Sequence, residues 1–323
     1  MDFSGRRITL GFGKETTRGT AATAAYWAQH LSVDFLQMSE KIYNKSGLGV
    51  LDENNAAEIV KDWGAGKFEG KITDKAFGLF LLCLFGTDAP TLHTGETTVY
   101  DHVYAQTNTN QNQSMTITRK DPNEDFQYAL GMVKQLKLDV VVGDFIKYQL
   151  ELISKKGIAG TDTAAYVTEN EFKPKYATLK IAPLVAGLGA ATAIPVKSFM
   201  MTVDKGTDPY FVVGSNDPAD IFNTVFNVKG DFILRYSDQT YRSMYFNNTY
   251  QAIQLDLKNT DVTIGTATNP ELILTLPKVA LDSWKIDQKL DSMVEQTVGF
   301  QGLFDQVTGK QLACTLTNTV ASY

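Results

Sequence analysis

The chain is poor in the residues that most often carry chemistry or covalent cross-links. Its 323 residues include 3 histidines and 2 cysteines. Cys83 and Cys314 are far apart and lie in apolar surroundings, which favours two buried, reduced thiols over a disulfide. No segment reaches the roughly 18 apolar residues of a membrane span, and the start, MDFSGRRITL, lacks the apolar core of a secretion signal. We therefore expect a protein that is made and kept in a cytoplasm, or released together with something else, and that has no membrane contact.

Positive charge is scarce as well. The formal net charge is −6 and the sequence pI is near 5.2. Affinity for phosphate depends mostly on Lys and Arg, so this balance argues against a protein that wraps nucleic acid. Any relation to DNA would have to be non-adhesive. With 43% hydrophobic and 20% charged residues the chain is globular, and its length suits about two domains.

A glycine-rich stretch near the N-terminus, GFGKETTRGTAATAAYW (11–27), looks at first like a nucleotide-binding loop. A P-loop needs a first glycine five residues before its Gly-Lys pair, and a Ser or Thr directly after the lysine. Ile8 stands where that glycine should be, and Glu15 after Lys14 places a negative charge where phosphate would sit. A dinucleotide fingerprint fails too, because its third glycine is missing. We predict no nucleotide cofactor.

One cluster contains side chains that can bind a metal. His93 and His102 lie with Glu96 and Asp101 in the segment LHTGETTVYDHV. Their spacing matches neither a helical His-x-x-x-His pair nor a zinc knuckle, so we interpret the segment as a solvated loop. No Gly-x-Ser-x-Gly motif occurs, and no spacing singles out an acid–base pair among the carboxylates. The sequence predicts no catalytic residue, no metal and no cofactor.

An ungapped internal repeat organises the chain. WGAGKFEGKITDKAFGLFLL begins at Trp63, and FNVKGDFILRYSDQTYRSMYF begins at Phe226. Every matched pair is separated by the same number of residues, about half of the chain. The pairs are Gly66 and Gly230, Phe68 and Phe232, Lys71 and Arg235, Thr73 and Ser237, and Asp74 and Asp238. A repeat of this size predicts two similar structural units.

Each copy of the repeat predicts an alternating strand, then a hydroxyl–Asp pair that caps a short helix. The helices are AFGLFLLCLF (76–85), which Gly86 ends, and QTYRSMYFNN (239–248). The first helix is apolar on nearly every side and must be buried. NDPADIF (216–222) predicts one further helical turn, with Asp217 as its cap and Pro218 at its first position. Strands are predicted at 114–120, 126–142, 145–156, 198–205, 210–215, 251–259, 271–278, 296–305 and 309–319.

These elements predict a mainly β protein with two tandem β-sandwich or barrel-like units, each flanked by one α-helix. The predicted limits are 1–30 for an extended N-terminal arm, 31–194 for the first unit and 195–323 for the second. Open sheet edges invite pairing with other chains, and two tandem units suit closure into a ring. The arm lacks the hydrophobic spacing of a core element, so we expect it to lie extended against a neighbouring copy.

The arm therefore supplies the candidate inter-subunit residues. Glu15 and Arg18 carry opposite charges, and we expect them to bridge subunits when rings stack. A chain without residues 1–24 is expected to form folded rings that do not polymerise. The full set of candidate contact residues is Lys14, Glu15, Thr16, Thr17, Arg18, Gly19 and Thr20.

The arm motif GKETTRGTAATA, the segment GSNDPADIF followed by FNVKGDFILRYSD, and the closing strands resemble the major tail tube proteins of long-tailed, non-contractile bacteriophages. That family has an arm reading roughly Gly-x-Glu-x-Thr-x-Gly-Thr-Ala, and later Gly-Ser-x-x-Pro-x-Asp-Ile before an apolar strand and a glycine. The likeness covers nearly the whole chain. The motifs are short and structural, and the choice of the sheathless tail type depends on the arm motif alone.

The resemblance implies a non-enzymatic virion protein whose β-sandwich units form rings that stack into a hollow tube for DNA. A family member with one tube domain forms hexameric rings, so a duplicated chain implies trimeric rings with pseudo-sixfold symmetry. The resemblance implies that the chain binds further copies of itself and the tape measure, tail terminator and distal tail proteins. It also implies assembly in the host cytoplasm and a final location in the virion tail. A lumen of carboxylates, hydroxyls and amides would repel DNA mildly.

Two functions from other classes stay open at this point. A carbohydrate-binding or adhesive β-sandwich would expose aromatic side chains on one face. A hydrolase that uses the loop around His93 and His102 would contain a bound metal. Neither function explains why the chain is doubled.

Overall fold

Strands dominate the computed structural model, which describes residues 2–323. In this part of the chain there are two α-helices, α1 (Ala76–Phe85) and α2 (Thr240–Phe246). The strands are, in chain order, β1 Thr9–Lys14, β2 Tyr26–Ala28, β3 His30–Asn44, β4 Ala56–Lys71, β5 Gly86–Leu92, β6 Tyr100–Gln106, β7 Met115–Lys120, β8 Asp125–Val141, β9 Lys147–Lys155, β10 Gly157–Ala159, β11 Ala177–Ala182, β12 Val196–Asp204, β13 Thr207–Tyr210, β14 Asp220–Asn223, β15 Asn227–Arg235, β16 Gln251–Lys258, β17 Glu271–Asp287, β18 Glu295–Gly302 and β19 Ala313–Asn318.

Eight of these strands form one continuous antiparallel sheet, which we call the inner sheet. Its order is β3, β4, β9, β8, β12, β15, β18, β17. Side chains on one face are buried, including Phe68, Leu138, Leu150, Phe199 and Phe232. The alternate residues on the other face are mostly polar, as expected for a sheet with one buried face. The mainly β fold is thus confirmed.

A second layer of strands covers the buried face of the inner sheet. It consists of two groups, β2-β1-β7-β8-β10 and β5-β6-β19-β17-β16-β11. The strands β8 and β17 are long enough to contribute to both layers. The hairpin β5–β6 belongs to the first half of the chain but pairs with β19 of the second half. Cys83 on α1 and Cys314 on β19 are free and buried, as predicted.

Helix α1 lies between the two layers, and all ten of its residues are buried, as the sequence predicts. The ring of Phe80 packs against the rings of Phe12 on β1 and Phe68 on β4. The distances between ring centroids are 4.8 Å and 5.6 Å, respectively. Gly86 ends the helix in the left-handed conformation at φ 102°, and its N–H bonds to the Leu82 carbonyl.

The predicted caps of the helices are only partly correct. The Ala76 amide donates to Glu169 Oε1 at 2.7 Å, so a residue distant in sequence caps α1. Asp74 instead accepts hydrogen bonds from Asn170, because the segment that leads into the second half crosses the start of the helix. At α2 the carboxylate of Asp238 does accept the amide of Thr240 at 2.8 Å.

The two halves of the inner sheet have the same strand register. Phe68 pairs with Leu150 on β9, and the repeat partner Phe232 pairs with Val298 on β18. Three of the irregularities match as well. The paired bulges lie at 30/32 on β3 and 196/198 on β12, at 133/135 on β8 and 281/283 on β17, and at 115/117 on β7 and 251/253 on β16.

The correspondence also includes the predicted arm. Leu10 pairs with Ala28 across β1 and β2, and Leu179 on β11 bridges Ile194 in the same way. The sequence GTAATA (19–24) after β1 matches LGAATA (188–193) after β11. The predicted limits 1–30, 31–194 and 195–323 stay a prediction. The strand β11, which begins at Ala177, pairs with β16 and so belongs to the second group of strands.

Residues 210–222 differ from the predicted strand and helical turn. The structure has a hairpin here, β13–β14, and the predicted strand at 210–215 and helical turn at 216–222 are wrong. Asp217 caps no helix, and its Oδ1 accepts the amide of Lys156 at 2.8 Å. Ile221 on β14 is fully buried against Leu130, Met132 and Ile153. This tertiary contact favours the extended conformation over a helical turn.

Gly78 tests how closely α1 is packed. A Cβ at this position would lie 2.1 Å from the ring of Tyr323, whose hydroxyl donates to the Lys75 carbonyl. Ala normally stabilises a helix interior relative to Gly, but overpacking costs about 2 kcal/mol. We expect Gly78→Ala to lower the free energy of unfolding, measured by urea denaturation. Gly189→Ala, where the added Cβ has no atom within 4 Å, should leave the midpoint unchanged; equal midpoints for both variants would contradict this packing account.

Candidate assembly interface

The first part of the predicted arm is a core strand of its own chain. β1 pairs with β2 on one side and with β7 on the other. Leu10 and Phe12 are 0% exposed. A chain without residues 1–24 would lose this strand, so its deletion is expected to damage the fold and does not isolate a stacking function. The Gly/Thr/Ala composition hid the strand, because only two of its positions point into the core.

Glu15 is a buried carboxylate at the end of β1, with 2% exposure. Its oxygens accept hydrogen bonds from Ser114 Oγ at 2.6 Å, Thr116 Oγ1 at 3.0 Å, the Leu130 amide at 2.7 Å and the Gly19 amide at 2.7 Å. Leu130 has a left-handed backbone at φ 56°, a conformation that costs a non-glycine residue about 1–2 kcal/mol. The carboxylate stabilises that conformation and fixes the arm to β7 and β8.

Arg18 also has all of its contacts inside the chain. Its guanidinium bonds to Asp220 on β14 at 2.8 Å and to the carbonyls of Ile221 at 2.6 Å and Asn112 at 2.8 Å. It therefore joins the arm to the hairpin β13–β14 of the second half. Glu15 and Arg18, which were expected to bridge subunits, hold the arm to the fold in separate networks.

The other candidate residues lie around these two anchors. Gly19 adopts φ 76°, which requires glycine. Lys14 is exposed, and its Nζ donates to the Tyr323 carbonyl at 2.5 Å. Thr16, Thr17 and Thr20 are exposed. A role in contacts between subunits stays a prediction for the whole set, and the exposed threonines are the part of it with surface to offer.

The two free edges of the inner sheet are a second candidate surface for assembly. Within residues 2–323 no strand pairs with the outer side of β3 or with the outer side of Ser283–Asp287 on β17. β3 is 15 residues long, and Leu36, Met38 and Ile42 are between 47% and 52% exposed. A long edge with apolar side chains pairs readily with another chain. The sequence indicated open edges without locating them, because edge position depends on sheet order.

Only part of the histidine cluster is the expected solvated loop: residues 93–99 form a loop with exposed residues, but Glu96 and His102 are buried. His102 on β6 is fully buried, with Nδ1 at 2.7 Å from Asp88 and Nε2 at 2.8 Å from the Val320 carbonyl. Glu96 accepts hydrogen bonds from Thr266, Ala267 and Thr268 of the second half. These contacts hold the two halves of the chain together.

The described residues 2–323 contain no group of three His, Cys, Asp or Glu side chains that could hold a metal ion. In the same range no helix is long and apolar enough to cross a membrane.

The comparison with protein families decides how these surfaces are interpreted. The family model described as phage tail tube protein matches residues 5–302. The chain belongs to the phage tail tube protein family. No curated protein matches the chain. Tail tube proteins are structural and non-enzymatic components of the virion tail, so the predictions of a tail tube protein and of a non-enzymatic function are confirmed. The exposed edges and arm of this tail tube protein are therefore candidate surfaces for self-assembly.

The Glu15 network predicts a strong effect of a nearly isosteric change. Glu15→Gln directs an amide group toward four donors, so at least one buried donor loses its acceptor. We expect the free energy of unfolding to fall by about 2 kcal/mol, measured by urea denaturation of the unassembled chain. Thr16→Ala, on the same loop but exposed, is the control and should leave the stability unchanged. A stable Glu15→Gln variant would show that the arm is not anchored by this carboxylate.

The Glu96 contacts predict an acid-sensitive link between the halves. Backbone hydrogen bonds from Ala267 and Thr266 lower the pKa of Glu96 to about 2 from an ordinary value of 4.5. Its stabilising effect is therefore complete above pH 4.5 and is lost as the pH falls toward 2. We expect wild type to have a higher free energy of unfolding than Glu96→Gln at pH 6. This difference in free energy should disappear by about pH 2. A difference that does not change between pH 6 and 2 would contradict this account.

Proposed function

We propose that this tail tube protein closes into trimeric rings with pseudo-sixfold symmetry, and that the rings stack into the hollow tube of a sheathless phage tail. The observation that carries the proposal is the matching register of the two halves of the inner sheet. Inside one chain, β8 of the first half pairs with β12 of the second half. Since β17 corresponds to β8 and β3 corresponds to β12, the same pairing between β17 and β3 of the next copy would continue the sheet.

The internal junction also provides the register for the junction between copies. Lys137 on β8 pairs with Thr202 on β12. The matched bulges make Lys285 the counterpart of Lys137 and Leu36 the counterpart of Thr202. Lys285 of one copy therefore pairs with Leu36 of the next. On the buried side, Ile286 then lies opposite Phe35 of the next copy.

The register supports a wide barrel. A row of paired residues runs from Ser32 through Glu69, Gln149 and Lys137 to Thr202, which corresponds to Leu36. The row thus advances about one residue per strand. With strands about 4.8 Å apart and a rise of about 3.3 Å per residue, this gives a tilt of about 35°. Three copies supply twenty-four strands and a backbone diameter of about 45 Å.

The polar face of the inner sheet would line this barrel. Its charged residues include the acids Asp34, Glu69, Asp139, Glu151, Asp204, Asp231, Asp287 and Glu295 and the bases Lys67, Lys71, Lys137, Lys147, Lys229, Arg235 and Lys285. Acids and bases occur in similar numbers in this set, whereas the sequence predicted a lumen of carboxylates, hydroxyls and amides. Paired charges such as Lys137 and Asp139 at 3.2 Å leave few free cations to hold phosphate.

The proposed function also includes the stacking of rings and the binding of other proteins at the two ends of the tube. The exposed arm residues Lys14, Thr16, Thr17 and Thr20 contact the adjacent ring. The same ring surfaces bind the tail terminator and distal tail proteins at the two ends of the tube, with the tape measure protein inside it. Assembly takes place in the host cytoplasm, and the finished tube lies in the virion tail, where DNA passes through the lumen without specific binding.

Electron microscopy of the concentrated protein tests the architecture, with rings or tubes of three copies as the expected result. The pair Leu36→Cys and Lys285→Cys in one chain tests the junction by oxidation. On a non-reducing gel we expect a covalent ladder, that is, cross-linked dimers and trimers and no larger species. Lys137→Cys with Thr202→Cys is the matched control and should cross-link within one chain. Monomers at high concentration, or a ladder that ends at another number, would overturn the trimeric ring.

A further inference from the structure

A short segment, residues 170–172, covers the backbone that follows β4 in the first half of the inner sheet. Glu171 forms an antiparallel bridge with Thr73 directly after β4. The Phe172 amide donates to the Ile72 carbonyl at 3.1 Å, and the Asp74 amide donates to the Asn170 carbonyl at 3.0 Å. Phe172 enters the main core with 2% exposure. Glu171 also forms an ion pair with Lys71.

The second half presents the same acceptor surface, and no segment among residues 2–323 covers it. Ile72 donates to the Ile146 carbonyl at 3.1 Å, and its counterpart Tyr236 donates to the Val294 carbonyl at 3.0 Å. The backbone therefore follows the same path in both halves. Yet Thr73 is 8% exposed, whereas its counterpart Ser237 is exposed.

The start of the chain has the sequence of the missing segment. Phe172 stands seven residues before Leu179 on β11, and Phe3 stands seven residues before the corresponding Leu10 on β1. An acid precedes the phenylalanine in both places: Glu171 and Asp2. A 3₁₀ turn follows in both places, at Pro174–Tyr176 and at Gly5–Arg7.

The position of the N-terminal segment directs it toward another copy. Gly5, Arg6 and Ile8 line one groove together with His30–Val33, at the start of the free edge strand β3. In the proposed ring this edge meets β17 of the adjoining copy. Asp2 is exposed and Phe3 is only half-buried in the single chain, so both have surface to offer there.

We propose that Asp2 and Phe3 form a latch on the adjoining copy of the ring, over Arg235–Asp238. Phe3 donates its amide to the Tyr236 carbonyl and is buried against the adjoining copy, as Phe172 is buried in the main core of its own chain. Asp2 lies opposite Ser237 and pairs with Arg235, the counterpart of Lys71. This inference rests on the proposed ring, and it assigns the N-terminus to contacts within a ring, in addition to the stacking role proposed for the arm loop.

Two sets of variants test the latch by its effect on assembly. Phe3→Ala should weaken association by about tenfold or more, since it removes the burial of a phenylalanine side chain at each junction. Asp2→Arg and Arg235→Asp should each weaken it, and the two changes together should restore it. Assembly is measured by mass photometry and electron microscopy. The matched variant Phe172→Ala should instead lower the stability of the single chain, because its phenylalanine is already buried.

A cross-link locates the contact directly. Thr73 and Glu171 are flanked by hydrogen bonds on both sides, which makes them a closely spaced non-hydrogen-bonded pair suited to a disulfide. Asp2→Cys with Ser237→Cys should give covalent trimers, whereas Thr73→Cys with Glu171→Cys should give a cross-link within one chain. The native cysteines are buried and should not interfere.

The outcomes separate the latch from the ring. Normal rings from Phe3→Ala, together with no cross-link between copies at Asp2→Cys and Ser237→Cys, would overturn the latch and leave the ring intact. A wild-type chain that stays monomeric would overturn the ring and the latch together. Covalent trimers with weakened assembly of Phe3→Ala would support both.

Discussion

The antiparallel pairing of β8 with β12 is the contact on which the rest of the structure depends. It joins the two halves into one inner sheet and so leaves β3 and β17 as its two ends. Because the halves share their register and three of their bulges, the contact inside the chain is the template for the contact that we propose between chains. A sheet that continues by repetition of one junction has no natural end until it closes into a ring.

The two junctions of the proposed ring differ in how they are reinforced. Inside the chain, the hairpin β5–β6 crosses to β19, and Glu96 binds the loop at 266–268. The second half has a short connection between α2 and β16, with no counterpart of this hairpin. The junction between copies therefore relies on strand pairing, on the latch and on the apolar side chains of β3.

The arm illustrates how a motif can identify a family without showing what its residues contact. The Gly/Thr/Ala pattern identified the family, and the family match confirms that identification. Yet Glu15 and Arg18 are occupied by buried networks within the chain, with Ser114, Leu130 and Asp220 among their partners. A carboxylate and a guanidinium on a small-residue loop look like surface charges in the sequence. Only partners roughly 100 to 200 residues away in sequence make them structural.

The sequence by itself determined the strand-rich fold, the buried helix α1, the glycine that ends it and the repeat, because each depends on local periodicity and composition. Sheet order, the location of the free edges and the burial of Glu15, Glu96 and His102 depend on contacts between distant segments, so only the tertiary structure decided them. The same reason explains the hairpin at 207–223, where packing of Ile221 against β8 and β9 overrode a local signal for a helical turn. Local patterns fix which element forms, and burial against distant residues decides what that element contacts.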